Sequence, residues 1–121
     1  MSCAALSMPT PQDLNLVLTT EANESLAECL AQQLLEQRLA ACVSLMPLRS
    51  HYRWRGAIEC AEEVQLLIKT CPERLQDLLS TLEILHSYDT PEILHWSAQA
   101  GSGYSAWARA ALSSDADPSV P

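Results

Sequence analysis

The sequence contains no phenylalanine, only three glycines, and only seven basic residues against fifteen acidic ones. Without phenylalanine, the chain lacks the Lys/Arg-Gly-Phe context in which RNA-recognition domains stack bases. The formal net charge of -8 leaves no basic face for phosphate groups or for an anionic membrane surface. No apolar run approaches the roughly 20 residues that span a bilayer. We therefore expect neither nucleic acid nor a membrane as a partner.

Paired cysteine motifs are also missing. The chain has an odd number of widely spaced cysteines, never in a C-x-x-C pair: Cys3, Cys29, Cys42, Cys60 and Cys71. This pattern opposes both a disulfide scaffold and a zinc knuckle. The first eleven residues, MSCAALSMPTP, lack the basic start and the long apolar stretch of a secretory signal. Because free thiols suit a reducing compartment, we expect a cytoplasmic protein.

Apolar periodicity runs through one continuous part of the chain. Both ends are polar or broken by proline, so we predict a flexible N-terminus over 1–12 and a flexible C-terminal tail over 113–121. Between them, residues 13–112 form one domain. A chain of 121 residues, 48% of them apolar, is long enough for a core of its own.

The first half of the domain predicts a strand and then a helix. LNLVLTT (14–20) is short and apolar, as in a buried strand. The helix begins with Asn23 as its cap or with a capping box of Ser25 and Glu28. Apolar residues at helical spacing form the stripe that it buries: Leu26, Ala27, Leu30, Ala31, Leu34 and Leu35.

A long hairpin follows the helix. From Ser50 onward, polar and aromatic residues alternate with the period of a strand, and Pro47 requires a bulge or an edge position. Arg55 and Gly56 predict a tight turn, because Gly56 can adopt a positive φ. Two strands of about 12 residues would be about 40 Å long, twice the usual length. Such a ribbon overhangs a small domain, and its exposed edges favour a partner chain.

The second half predicts a helix, a strand and a short terminal helix. Leu75, Leu78, Leu79, Leu82 and Leu85 recur with helical spacing. We expect a capping box of Thr70 and Glu73 at the start, Pro72 in the first turn and an end near His86. EILHWSA (92–98) is then a strand, GSG (101–103) a loop, and YSAWARAAL a helix that buries Tyr104, Trp107, Ala108 and Ala111.

The order of these elements predicts the α+β class. It is the split βαβ arrangement, a ferredoxin-like βαββαβ sandwich with an extended hairpin between the second and third strands and a short C-terminal helix. Such domains host many functions, so the fold alone does not decide the function. The chain has no Gly-x-Ser-x-Gly elbow, P-loop or His-Glu-x-x-His motif, and we expect it not to be an enzyme.

Five segments of the chain together resemble the CutA family, named for tolerance of divalent cations. They are LAACVSLMP (39–47), YRWRGAIE (52–59), VQLLIKT (64–70), HSYDTPEIL (86–94) and YSAW (104–107). The segments occur in the family's order and spacing and cover about residues 14 to 112. The resemblance implies a tight homotrimer whose long hairpins pair across subunits. It also implies an architecture like that of the PII signalling proteins, whose clefts between subunits bind small effectors.

The family's link to copper and other divalent ions makes His86 and Cys42 the candidate metal ligands. His86 matches the histidine of the family's His-Pro-Tyr motif, and Cys42 matches the cysteine of its Ala-Ala-Cys motif. Imidazole nitrogen and thiolate sulfur suit copper and zinc. However, Thr19 and Leu85 stand where some bacterial members have a cysteine and a second histidine, and Ser87 replaces the usual proline. The alternatives are a buried strand cysteine and a histidine that complements the end of a helix.

A second set of residues borders the inter-subunit cleft on the family's pattern. An apolar cleft with a few convergent polar groups is the default site for a small ligand. The candidates for this effector cleft are Tyr52, Trp54, Glu59, Lys69, Tyr88 and Glu92. The alternative for the aromatic pair is a role in the core or in an interface, and for Lys69 it is an edge position with its ammonium group in water.

The sequence therefore predicts a non-enzymatic, cytoplasmic homotrimer implicated in tolerance of divalent metal ions such as Cu²⁺. One alternative is a PII-like regulator that binds a small effector between its subunits. The other is a trimeric scaffold for a protein partner that the sequence does not identify.

Overall fold

Alternating strand and helix patterns in the sequence become four strands and three helices in the computed structural model, which describes residues 13–113. The strands are β1 (Asp13–Glu21), β2 (Cys42–Trp54), β3 (Ala57–Thr70) and β4 (Ile93–Gln99). The helices are α1 (Glu24–Glu36), α2 (Pro72–Leu85) and α3 (Ser102–Leu112). The predicted flexible ends, apart from Ser113, lie outside the described residues.

The strands form one antiparallel sheet in the order β2-β3-β1-β4. β1 lies at the centre, paired on one side with β3 and on the other with β4. Since α1 and α2 connect non-neighbouring strands, they cross over the same face of this sheet. The predicted α+β class and its split βαβ arrangement are confirmed.

The main core lies between that face of the sheet and the two helices. Every second residue of β3 points into it, so that Val64, Leu66 and Ile68 are buried against Leu34 of α1 and Leu82 of α2. Burying a side chain of this size contributes about 1.5–3 kcal/mol. Because successive side chains of a strand point to opposite faces of the sheet, the remaining side chains of each strand face away from the helices.

β2 and β3 form the long hairpin that the sequence predicts. They contain 13 and 14 residues, and their pairing runs without a bulge from Cys42 opposite Lys69 to Trp54 opposite Ala57. At the tip, Arg55 has φ 51° and Gly56 has φ 80°, the two positive values of a type I′ turn. Pro47 lies in β2, which is an edge strand, so its missing N–H interrupts no sheet.

α1 begins where Asn23 accepts a hydrogen bond from the N–H of Leu26 at 2.9 Å, so the cap is Asn23 and not Ser25. The buried stripe is narrower than the sequence indicates. Leu26 and Leu35 are 38% and 43% exposed. At 3.6 residues per turn, both lie about 90° from the centre of the stripe, beyond the width that the sheet covers.

The predicted capping box of Thr70 and Glu73 does not form at α2. Thr70 is the last residue of β3, where its buried hydroxyl makes no hydrogen bond. Cys71 occupies the cap position instead, with no hydrogen bond from its side chain. The first-turn position of Pro72 and the end of the helix at His86 agree with the prediction.

α3 begins at Ser102, so part of the segment GSG, predicted as a loop, is helical. The helix covers one end of the sheet through a second cluster that includes Leu14, Cys71, Ala108 and Leu112. Tyr104, predicted as buried, is 38% exposed. Two guanidinium groups hold the end of this helix: Arg38 donates to the carbonyl of Ala111, and Arg74 to that of Leu112, each at 2.8 Å.

The face of the sheet opposite α1 and α2 is largely uncovered beyond the reach of α3. We call it the open face. Exposed or half-buried apolar side chains point from it, namely Leu16, Leu18, Met46, Leu67, Leu94 and Trp96. Among residues 13–113, no helix is both long enough and apolar enough to cross a membrane.

Candidate functional site

A cleft of about 930 Å³ lies where the long hairpin meets the segment that follows α2. The hairpin contributes one wall, and residues 87–90 with Glu92 contribute the other. The second wall is irregular because Pro91 disfavours helical backbone at the residue before it. The cleft is therefore formed by the long hairpin on one side and by the helix exit on the other.

Glu21 holds the start of the second wall of this cleft in place from behind the lining. It ends β1, is only 2% exposed, and accepts hydrogen bonds from the N–H of Ser87 at 3.2 Å, from the hydroxyl of Ser87, and from the N–H of Ala22 at 3.3 Å. A buried carboxylate is costly unless donors surround it. These donors fix residues 86–88 against the end of the central strand.

His86 is held on both sides of its ring. Its Nδ1 accepts a hydrogen bond from the N–H of Tyr88 at 3.0 Å, so its Nε2 carries the proton and donates to the Thr19 hydroxyl at 3.0 Å. Glu21 Oε2 lies 3.6 Å from Nδ1, which is longer than a hydrogen bond. The ring of His86 is therefore held by Thr19 and Tyr88 and not by a hydrogen bond to Glu21.

Tyr88 links the cleft to the hairpin. Its hydroxyl donates to Glu63 Oε2 at 2.8 Å, and its ring lies 5.2 Å from that of His86. Burial, followed by the hydrogen bond and the negative charge of Glu63, raises the pKa of Tyr88 well above its ordinary value. The phenol therefore stays a neutral donor throughout the physiological range.

The structure brings four of the six predicted effector-cleft residues together. Tyr52, Trp54, Tyr88 and Glu92 all line the cleft. Glu59 and Lys69 do not line it: Glu59 is exposed opposite Tyr52 on the hairpin, and Lys69 lies near the other end of β3.

The two predicted metal ligands do not share one site. Cys42 projects from the sheet face opposite His86, where its sulfur lies 3.7 Å from Lys69 Nζ, which also donates to the Ser44 hydroxyl. Burial, with the neighbouring sulfur, raises the pKa of the Tyr104 phenol beside Cys42. Both nitrogens of His86 are already engaged. Across residues 13–113, no group of three or more histidine, cysteine or acidic side chains could hold a metal ion.

Several contacts around the cleft join residues that are far apart in the sequence. Glu21 and Ser87 are 66 positions apart in the chain, and Glu63 and Tyr88 are 25 apart. No local pattern indicates such pairs. The one signal in the sequence is Glu21 itself, an acid at the end of an apolar strand. Such an acid is buried when the strand lies at the centre of the sheet.

The cleft can bind a small molecule that carries both an apolar and a polar part. Tyr52 and Trp54 offer exposed rings, and an arginine, Arg55, lies 5.5 Å from the Trp54 ring. Glu63, Asp89 and Glu92 add acidic groups to the lining. Aromatic surfaces with a few charged groups are typical of sites that orient small ligands.

Comparison with known proteins gives a consistent picture. The profile of a family described as CutA1 divalent ion tolerance protein matches residues 15–111. A Pectobacterium atrosepticum protein named divalent-cation tolerance protein CutA is 45% identical over 102 residues, which is 83% of this chain and 93% of that protein.

Solved structures agree with this match. CutA from Synechococcus elongatus aligns with a TM-score of 0.82 and 44% identity, over 89% of this chain and 98% of that one. A structure from Archaeoglobus fulgidus, described as a periplasmic divalent cation tolerance protein CutA, aligns with a TM-score of 0.79 and 32% identity, over 83% and 99%.

Proposed function

Because the chain belongs to the CutA1 divalent ion tolerance family, we propose that it is a non-enzymatic homotrimer that acts in the cytoplasmic response to divalent metal ions, copper among them. The observation that carries the proposal is the family match over residues 15–111, nearly all of the described chain. The same fold recurs at high identity in solved structures of CutA proteins.

The tolerance role is tested by growth. A strain that lacks its own copy of the gene should grow poorly at raised copper, and the wild-type chain should restore its growth. A strain that grows equally well with and without the chain, over a range of copper and zinc concentrations, would refute the role.

The part of His86 in metal binding needs a separate test, since both of its ring nitrogens are engaged by Thr19 and Tyr88. Calorimetric titration with Cu²⁺ should give weaker binding in His86→Ala than in the wild type if the ring turns to an ion. His95→Ala is the matched control, because His95 is an exposed histidine on β4. Equal binding by the wild type and His86→Ala removes His86 from the metal role.

Two features of the cleft favour a role without catalysis. The Ser87 hydroxyl donates to the Glu21 carboxylate, while His86 accepts its hydrogen bond from the backbone. The histidine is therefore not arranged to take a proton from the serine, as nucleophilic catalysis requires.

The homotrimer is supported by the open face and by the long hairpin. Monomeric proteins rarely expose a large contiguous apolar patch, and Leu94 and Trp96 are 53% and 43% exposed in the single chain. Light scattering should give a mass of about 40 kDa, three times the 13.3 kDa of the chain. A mass near that of the single chain would contradict the proposal.

A cytoplasmic location is supported by the thiols. The four cysteines in the described part of the chain are free, and Cys29 and Cys60 are exposed. Exposed thiols persist in reducing compartments. Fractionation of cells that produce the chain should recover it with cytoplasmic markers, and recovery with an exported marker would overturn this part of the proposal.

The volume and lining of the cleft favour a second candidate, a regulator that binds a small effector. About 930 Å³ lined by Tyr52, Trp54, Tyr88 and Glu92 is in the range of small-molecule sites. A panel of nucleotides and organic acids, screened by thermal shift, should contain a compound that raises the melting temperature by mass action.

The matched variants for this screen follow from the geometry. Trp54→Ala should reduce the thermal shift, because its ring lines the cleft. Lys69→Ala should leave it unchanged, because Lys69 lies outside the lining and bonds to Ser44. A panel without any stabilising compound favours the remaining alternative, a scaffold for a protein partner.

A further inference from the structure

One pair of side chains near the tip of the hairpin combines a thiol with an imidazole. His51 of β2 and Cys60 of β3 are directly opposite each other in the antiparallel register. The Cys60 sulfur lies 3.7 Å from His51 Nε2, and both residues are exposed. The two atoms that ligate metals therefore converge at the surface.

The separation of these atoms matches the distance between two ligand atoms of a tetrahedral zinc ion. Zinc binds imidazole nitrogen at about 2.0–2.1 Å and thiolate sulfur at about 2.3 Å, which puts the two donor atoms about 3.6 Å apart at the tetrahedral angle. The observed separation of 3.7 Å is close to this value. The regular ladder and the Arg55-Gly56 turn fix the register that holds the two residues opposite each other.

A metal ion binds the thiolate form of Cys60. On binding, the thiol of Cys60 releases its proton to solvent, and the neutral imidazole keeps its other nitrogen protonated.

We propose that His51 and Cys60 form a two-donor site for a borderline-soft divalent cation of the zinc type. Within residues 13–113, no third histidine, cysteine or acidic side chain completes the site. Water or an external donor fills the remaining positions, so the affinity is lower than that of a four-ligand structural zinc site. His51 also lines the cleft, and the bound ion lies at its rim.

The site lies outside the open face. By the alternation of the strands, His51 and Cys60 project to the side of the sheet that carries α1 and α2, beyond the reach of these helices. They lie on the side opposite the open face that the subunits would bury. The inference rests on the proposed function only in that the ion is divalent. The growth test can fail while the site binds zinc, and the site can fail while tolerance stands.

Titration of the full chain with Zn²⁺, in competition with a chromophoric chelator and under a non-thiol reductant, tests the site. The wild type should bind one zinc ion per chain at this site, and both His51→Ala and Cys60→Ser should weaken it at least tenfold. Cys29→Ser is the matched control, because Cys29 is an exposed cysteine on α1, and this variant should bind as the wild type does.

Cobalt supplies a readout that depends on the sulfur itself. Co²⁺ added to the wild type should give a thiolate-to-metal charge-transfer band in the near ultraviolet, which should persist in Cys29→Ser and be absent in Cys60→Ser. Circular dichroism checks that each variant is folded, as expected for exposed positions. Zinc affinity unchanged in His51→Ala and Cys60→Ser, or a cobalt band lost in Cys29→Ser instead of Cys60→Ser, would overturn the proposal.

Discussion

At the scale of single residues, the cleft depends on one buried carboxylate. Glu21 accepts the backbone and side-chain hydrogen bonds of Ser87 and the N–H of Ala22. Each of these donors would lose its acceptor if the carboxylate were absent, and a hydrogen bond to a charged group contributes about 1.5–3 kcal/mol. The position of residues 86–88 is thus set from the end of β1.

We predict that Glu21→Ala lowers the free energy of unfolding by about 2–4 kcal/mol, because the donors of Ser87 and Ala22 are left without this acceptor. Denaturant unfolding followed by circular dichroism measures the change. Glu28→Ala, an exposed acid on α1, is the control and should shift the value by no more than about 0.5 kcal/mol. Equal effects of the two substitutions would contradict the role of Glu21.

Tyr88 predicts a dependence of stability on alkaline pH. Its pKa is raised in the folded chain by burial and by Glu63, with smaller contributions from Glu21 and Tyr52, whereas an unfolded tyrosine titrates near pH 10. The unfolded state therefore loses the proton first. The stability that the neutral phenol contributes is complete below about pH 10 and falls as the pH rises towards the folded pKa.

Tyr88→Phe tests this dependence. At neutral pH the variant should be about 1 kcal/mol less stable, because the hydrogen bond to Glu63 is lost. The difference in unfolding free energy between the wild type and the variant should stay constant up to about pH 9 and shrink above about pH 10. A difference that grows in alkali would mean that the sign of the pKa shift is wrong.

The residues of the cleft show which parts of the site can be predicted from the local sequence. Tyr52, Trp54, Tyr88 and Glu92 were predicted from their positions in the family pattern, and they lie together. Lys69 was grouped with them, but Lys69 and Trp54 lie near opposite ends of the hairpin. Glu21 was missed because the Ser87 that it binds lies 66 positions away, a separation that only the fold resolves.

At the scale of elements, the hairpin turn carries two residues with positive φ, Arg55 at 51° and Gly56 at 80°. An L-residue pays about 1–2 kcal/mol in this region, whereas glycine pays none. Nothing lies within 4 Å of the place that a Cβ of residue 56 would occupy. The cost of replacing Gly56 is therefore a backbone cost alone.

We predict that Gly56→Ala lowers the free energy of unfolding by about 1–2 kcal/mol. Gly103→Ala is the matched control, because its Cβ also meets nothing within 4 Å but its backbone is helical in α3. It should raise stability by about 0.5–1 kcal/mol. Thermal or denaturant unfolding of both variants measures the contrast, and a shift in the same direction for both would refute the turn assignment.

The elements were predictable where one interaction dominates each position. α2 was predicted correctly because Leu78 and Leu82 follow the helical period and because Pro91 disfavours a longer helix. The capping box of Thr70 failed because pairing of this residue with Asn15 extends β3 by one position. The spacing of Thr70 and Glu73 indicates a local cap, but it does not reveal a sheet partner 55 positions away.

At the scale of the whole molecule, the chain has one covered and one open face of its sheet. α1 and α2 cover the first face apart from the outer part of the hairpin, while α3 reaches only one end of the other. Leu94 and Trp96 of β4 lie beside Leu16 and Leu18 of β1 on this open face. Burying such side chains between subunits contributes about 1.5–3 kcal/mol each, which would favour assembly.

We predict that Leu94→Glu dissociates the proposed homotrimer, because each subunit would place an unpaired carboxylate in an apolar interface. Leu94 is already 53% exposed in the single chain, so the substitution should not disturb the fold of one subunit. In light scattering, the mass should fall from about 40 kDa towards the 13.3 kDa of the chain. The melting temperature of the wild type, but not of the variant, should rise with protein concentration.

Ile84→Glu is the control, because Ile84 is 80% exposed on α2, away from the open face, and it should leave the mass unchanged. Dissociation by Ile84→Glu, or an intact homotrimer in Leu94→Glu, would move the interface away from the open face.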